Sequence, residues 1–172
     1  MATIVGTTDA GGDPSDQFAY FGGVRVAGMD SETQVAYTRV MSGAEVESCL
    51  RDVGHGVLSL ADGDESYAIP LYHHYDDGSL FFRLGHTPGD LKGRYLDATD
   101  VATYVVAEAR ADGAVDSGWS VVARGPIAPV TGNDRAAIEE RFPPVRLFDE
   151  SRAEVTVTLY ELDIESLSGR QN

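Results

Sequence analysis

The hydrophobic pattern after residue 36 predicts a chain of strands interrupted by three short helices. Ser42-Gly43-Ala44-Glu45 has the form of a capping box, and the apolar residues that follow it are spaced as on one face of a helix that ends near Gly54. Helical spacing also predicts helices at 91–98 and 135–141. Strands are predicted at 56–61, 66–75, 79–84, 101–109, 118–130 and 154–164.

The connections between these elements favour a barrel. Asp77-Gly78 is a strong hairpin signal, so the first three strands are expected to form an antiparallel meander. No crossover helices separate these strands, which excludes a parallel doubly wound sheet. The pattern therefore predicts a mainly β fold with peripheral helices, arranged as a small closed or split barrel.

The domain organisation follows from length and composition. A chain of 172 residues is the size of one ordinary domain. Residues 1–35 are rich in Gly, Asp, Ser and Thr without periodicity, so a flexible N-terminal arm is expected before a single domain at 36–172. Met29 stands just before the pattern becomes regular, and residues 1–28 could precede the native start.

Charge narrows the range of partners. The 28 acidic residues outnumber the 13 basic ones, and the formal net charge of −15 disfavours binding to nucleic acids and to anionic membranes. The basic residues are twelve arginines and one lysine, which is typical of adaptation to a high-salt cytoplasm. The chain has no apolar run of membrane-spanning length and no signal-like N-terminus, so a cytoplasmic protein is expected.

Metal and disulfide chemistry find little support in the sequence. Cys49 is the only cysteine, so neither an intramolecular disulfide nor a cysteine-cluster metal site can form. His73 and His74 are adjacent on a predicted strand and point to opposite faces, so they cannot hold one metal ion together. No metal site is predicted.

The start of the predicted helix 91–98 is the first candidate site. A Gly- and Pro-containing loop leads into it, and the first turn of a helix favours phosphate binding. Lys92, the only lysine, lies in that turn, where a cation is unfavourable unless an anion is bound. Arg83 can supply a second phosphate contact. The alternatives are a surface lysine at 92 and a surface ion pair at 83.

One family resembles this chain over residues 37–165. The segment AIPLYHHYDDGSLFFRLGHTPGDLK, with GHGVLSLADGDESY before it and WSVVARGPIAPV after it, resembles the pyridoxamine 5′-phosphate oxidase-like FMN-binding split-barrel proteins. The small archaeal members and the nitroimidazole-resistance-type branch are the most similar. GxSxG, Walker and GxGxxG motifs are absent.

The resemblance implies a six-stranded antiparallel split barrel that forms a homodimer, with one FMN in each of two interface clefts. It also implies cofactor contacts. The residues that match them are Ala68, Ile69, Pro70 and Leu71 along the flavin ring; His73 and Lys92 near the phosphate; Phe82 and Arg83 on the next strand; and Trp119 and Ser120 from the partner subunit.

The function predicted from this resemblance is a flavin-dependent oxidoreductase with an unspecified small-molecule substrate. A true pyridoxamine phosphate oxidase is not expected, because the family's Ser-Arg-Lys motif is Asp90-Leu91-Lys92 here and the C-terminus LSGRQN lacks the substrate-binding arginine segment. No catalytic residue is evident except His73 as a weak candidate. Non-catalytic flavin or heme binding (with His73 as the heme ligand), a preference for F420, and loss of any cofactor remain open alternatives.

Overall fold

The computed structural model describes the backbone of residues 20–21, 24–25, 37–111, 116–131, 135–145 and 151–172. The chain divides into two units, Met1–Ala36 and Tyr37–Asn172, and each is described by itself. In the first unit, β1 (Tyr20–Phe21) and β2 (Val24–Arg25) form an antiparallel pair. The rest of the arm predicted at 1–35 lies outside the described residues.

The second unit contains nine strands and three helices among its described residues. They are β3 (Arg39–Val40), α1 (Gly43–Asp52), β4 (His55–Asp62), β5 (Glu65–Tyr72), β6 (His74–Asp76), β7 (Ser79–His86), α2 (Leu91–Ala98), β8 (Val101–Ala111), β9 (Asp116–Pro129), α3 (Arg135–Glu139), β10 (Thr156–Asp163) and β11 (Ser166–Gln171). The capping box is confirmed, since Ser42 and Glu45 cap each other's backbone at the start of α1. The hairpin turn is confirmed by positive φ angles at Asp77 and Gly78.

The sheet is interrupted at His73, which leaves its two end strands unpaired with each other. Its strand order is β5-β4-β8-β9-β10-β7-β6, so its two ends, β5 and β6, are consecutive in the chain on either side of His73. The prediction of one strand over 66–75 and of a three-stranded meander is therefore wrong. The His73 N–H bonds to the Gly54 carbonyl (2.9 Å) and its side chain turns into the interior, which ends β5 and leaves β6 to pair with β7.

Strand β9 pairs with two different strands along one of its edges. Its first half pairs with β11 and its second half with β10, and Gly125 lies at the change. A Cβ atom at Gly125 would lie 1.7 Å from the Asp163 carbonyl oxygen, so only glycine lets the chain between β10 and β11 cross here. The sequence pattern predicts neither β11 nor the short β3.

The interior is mostly apolar and comes largely from alternate residues of the strands, with Leu50 added from α1. The fully buried large side chains are Tyr104, Phe82, Leu50, Leu58, Leu80, Leu159, Leu162, Val106 and Val121. The architecture is mainly antiparallel β with peripheral helices, as predicted. No helix in the described part of the chain is long and apolar enough to cross a membrane.

Candidate functional site: a cleft where the barrel is open

One cleft lies between the ends of β5 and β7, two strands that are neighbours in space but share no backbone ladder. Its volume is about 280 Å³. The residues that line it are Pro70, Leu71 and Tyr72 from β5; Arg83, Leu84, Gly85 and His86 from β7; Thr87, Asp90 and Lys92 around the start of α2; and Phe142, Pro143, Pro144, Val145 and Val155. The break at His73 is what opens this side of the barrel, so the fold itself creates the cleft.

Lys92 is the free cation of this cleft. It is half-buried in the first turn of α2, and its ammonium group has no hydrogen bond or ion pair with any residue that the structure describes. Arg94, two residues further along the same helix, instead bonds to the carboxylates of Asp62 and Glu65, each at 2.8 Å. Lys92 is therefore available to a negatively charged ligand.

Asp90 occupies part of the phosphate site that was predicted at the start of α2. Its carboxylate accepts the Gly93 N–H (2.7 Å) and the Thr87 N–H (3.1 Å), which caps α2 and orders the loop before it. One of the helix amides expected to face a phosphate is thus occupied by the protein. The carboxylate also places a negative charge in the same lining as Lys92, so the ammonium group must offset that charge as well as the ligand's.

Arg83 lines the cleft but is already bonded. Its Nη1 donates to the Glu139 carbonyl (3.5 Å), its Nη2 donates to the Pro143 carbonyl, and its guanidinium carbon lies 5.5 Å from the centre of the Phe142 ring. The surface ion pair considered for this residue is not formed with any carboxylate that the structure describes. Arg83 joins β7 to the segment after α3.

His73 lies inside the barrel and is only 7% exposed. Its Nε2 is 2.8 Å from the Leu50 carbonyl and its Nδ1 is 2.9 Å from the Tyr104 hydroxyl, which also lies 3.1 Å from the Leu71 carbonyl. Burial lowers the pKa of His73, and the bond to Leu50 only partly opposes this effect. A neutral imidazole and one hydroxyl carry two protons for these three contacts, so two of the three can be hydrogen bonds at once.

The other predicted site residues divide between the interior and the surface. Phe82 is fully buried and packs against Tyr104, with ring centres 5.0 Å apart. Ile69 and Trp119 are partly buried and pack on the core. Ala68 is exposed on β5, and Ser120 is half-buried on β9 opposite Ala107. Of the ten predicted contacts, the cleft brings together Pro70, Leu71, Arg83 and Lys92.

Sequence reasoning missed the wall formed by residues 142–145. Pro143-Pro144 was interpreted only as the end of a helix, and α3 indeed ends early, at Glu139. An apolar Phe-Pro-Pro-Val run after a short helix was the available signal, but its distant partner on β7 could not be read from spacing. Among the described residues that line the cleft there is no serine or cysteine. The described residues also contain no cluster of side chains able to hold a metal ion.

The fold and this cleft define an antiparallel split barrel with a candidate ligand site at its opening. A family model described as pyridoxamine 5′-phosphate oxidase matches residues 42–171, which is most of the chain. The chain therefore belongs to this family. No curated protein has a sequence similar enough to count as a match.

Solved structures agree on the fold. An FAD-binding protein from Mesorhizobium loti is 22% identical, with a TM-score of 0.59 over 80% of this chain and 99% of that one. A candidate 5-nitroimidazole antibiotic resistance protein from Bacteroides thetaiotaomicron is 16% identical, with a TM-score of 0.61 over 80% and 89%. An FAD- and heme-binding protein from Mycobacterium smegmatis is 17% identical, with a TM-score of 0.55 over 75% and 70%. At these identities the likeness shows the shared split barrel.

Proposed function

We propose that the chain binds FMN in the cleft between β5 and β7 and works as a flavin-dependent oxidoreductase. The observation that carries this proposal is Lys92, a cation in the first turn of a helix that is unpaired among the described residues and lines an otherwise mostly apolar cleft. The chemistry of the lining fits a flat ligand with one phosphate. Lys92 can bind the phosphate, and the apolar side chains from β5 and from 142–145 can cover a ring.

The flavin itself would supply the hydride or electron transfer. The protein's part is to hold and shield it. The exposed edge of β5, from Ala68 to Leu71, offers backbone groups to the ring, and Tyr104 holds the Leu71 carbonyl from inside the barrel. Residues 142–145 keep water from the opposite side.

A homodimer is part of the proposal, and an apolar stripe on the outside of the sheet supports it. Pro70, Val57, Val105 and Val122 are neighbours in register across four strands, and Val57 and Val122 are 39% and 38% exposed. Pro70 also lines the cleft. A second copy seated on this stripe would therefore lie at the edge of the cleft and could bring Trp119 and Ser120 to the ligand.

Pyridoxamine 5′-phosphate oxidase activity itself is not proposed. The C-terminal residues 166–171 form β11, which pairs with β9 and β3 and is thereby committed to the sheet. Heme bound through His73 is disfavoured because both ring nitrogens already have partners inside the protein. The acidic surface supports a cytoplasmic protein adapted to high salt.

Titration of the full chain, purified in high salt, tests the proposal. FMN, FAD, F420 and hemin are added separately, and binding is followed by flavin or tryptophan fluorescence and by absorbance, with sedimentation to measure mass. We expect saturable FMN binding by a dimer, tighter than binding of the other three. Tighter binding of F420 or hemin would replace FMN as the ligand, and the lack of saturable binding would support a cofactor-free member of the family.

A further inference from the structure

The segment that begins at the last residue of α3, residues 139–145, runs along one side of the cleft and is called the strap here. Its residues Phe142, Pro143, Pro144 and Val145 line the cleft from the side opposite β5. The strap lies close against β7. A Cβ atom at Gly85 would lie 3.8 Å from Val145, an ordinary van der Waals distance, so the strap and β7 are within packing distance there.

The strap has few means of holding its own position. Two consecutive prolines offer no backbone N–H, so the strap cannot be held by a regular ladder to β7. Helix α3, which leads into it, is five residues long and has no buried side chain. The amides of Arg141 and Phe142 donate to the carbonyls of Ile138 and Glu139 at the end of α3, so the strap's own carbonyls and the Phe142 ring are the groups that can fasten it to β7.

Arg83 contacts these groups of the strap. It donates to the carbonyls of Glu139 and Pro143, at the start and middle of the strap, and its guanidinium lies over the Phe142 ring. The edge of Phe142 faces His74, with ring centres 6.5 Å apart, so the ring is held between two side chains of neighbouring strands. A planar guanidinium can make two such bonds and stack at the same time, which a lysine cannot.

We propose that Arg83 is a positioning residue that fastens the strap over the cleft, and that it supports flavin binding through this wall and not through the phosphate. The proposal rests on the proposed function for the identity of the ligand. The two cations of the cleft then have different roles. Lys92 binds the ligand's charge, while Arg83 fixes the shape of the site.

Two ligands and three variants separate these roles. Riboflavin is FMN without its phosphate, so a phosphate-binding residue affects FMN alone. We expect Lys92→Gln to weaken FMN binding by about tenfold or more and to leave riboflavin binding unchanged. Arg83→Gln should weaken both ligands by the same factor, about tenfold, and Arg83→Lys should be as weak as Arg83→Gln. If Arg83→Gln weakens FMN alone, or if Arg83→Lys restores FMN binding, the positioning role is wrong.

Hydrogen exchange in the flavin-free full chain gives a second readout that does not depend on a ligand. The amides of Glu140, Arg141, Phe142 and Val145 should exchange faster in Arg83→Gln than in the wild type, and at the wild-type rate in Lys92→Gln. Unchanged exchange in Arg83→Gln would overturn the proposal. If the wild type binds neither FMN nor riboflavin, the proposed function fails, while the exchange measurement still decides the role of Arg83.

Discussion

The interior around His73 and the cleft around Lys92 lie on either side of the end of β5. They differ in whether their polar side chains are bonded to other protein groups. Inside, His73 and Tyr104 contact each other and the carbonyls of Leu50 and Leu71. Among the described residues, no buried side-chain nitrogen or oxygen lacks a partner. In the cleft, Lys92 has no hydrogen bond or ion pair with any residue in the described part of the chain.

This difference separates stability from binding. A buried polar group with every partner inside the protein contributes to a defined interior, and removing it leaves its partners unsatisfied. A half-buried cation without a partner contributes little to folding and is free to bind. Leu71 joins the two regions, because its carbonyl lies near Tyr104 while its residue lines the cleft. Variants on each side should therefore affect different measurements.

The largest expected effect is on the interior side. Tyr104 is fully buried, and Tyr104→Ala should lower the free energy of unfolding by about 3–5 kcal/mol because it leaves a cavity. Tyr104→Phe keeps the ring and should cost about 1–3 kcal/mol, since His73 loses a partner. Denaturant unfolding in high salt measures both. A loss of FMN affinity in folded Tyr104→Phe as large as that in Lys92→Gln would show that the two regions are not separable.

The next effect is on the cleft side. Lys92→Gln should lose about 1.5–3 kcal/mol of FMN binding free energy, the usual worth of a hydrogen bond to a charged group, with no loss of unfolding free energy. Fluorescence titration and denaturant unfolding measure the two quantities. Arg94→Gln is the matched control, because it removes a cation from the same helix that is already bonded to Asp62 and Glu65. If Arg94→Gln weakens FMN binding as much as Lys92→Gln does, the effect is one of overall charge and not of a specific site.

The difference between local and long-range contacts explains which features of the fold could be predicted from the sequence. Local signals were sufficient for the capping box at Ser42, the turn at Asp77-Gly78 and helix α2, because these features depend on neighbouring residues. The break of the second strand at His73 was missed, since it depends on Tyr104 and Leu50, 31 and 23 residues away in the chain. Strand β11 was also missed, because its residues lack the alternating pattern and their strand conformation depends on pairing with β9.

The candidate site was predictable to a similar degree. Lys92 could be singled out because it is the only lysine and lies at a helix start, and the cleft does contain it. Arg83 was placed in the right region, but its bonds to the carbonyls of Glu139 and Pro143 arise from tertiary packing and leave no mark on local spacing. An arginine can bind either a phosphate or a backbone carbonyl, and the sequence around it does not distinguish the two. Its partner depends on the tertiary structure.

The smallest expected effect is the pH dependence of the interior. Burial lowers the pKa of His73 in the folded chain below its usual 6.5. At a pH between the folded and the unfolded pKa, His73 therefore binds a proton in the unfolded chain but not in the folded chain. Stability should therefore fall as the pH drops below about 6.5, by at most about 1.4 kcal/mol per pH unit for one proton. Glu45 acts in a lower window, since its bonds to Arg39 and Ser42 lower its pKa to about 2 and its contribution is lost only as the pH falls from 4.5 towards that value.

Denaturant unfolding of the wild type and of His73→Gln, compared between pH 7 and pH 5, isolates this proton. The wild type should lose more stability than the variant across that interval, and the NMR signal of His73, identified by its absence in the variant, should titrate below its usual range. Protonation would also add the third donor that the contacts to Leu50, Tyr104 and Leu71 can use, which opposes the effect of burial. If the wild type is equally stable or more stable at pH 5 relative to the variant, the three hydrogen bonds outweigh burial, and the interior around His73 holds a charge instead of excluding one.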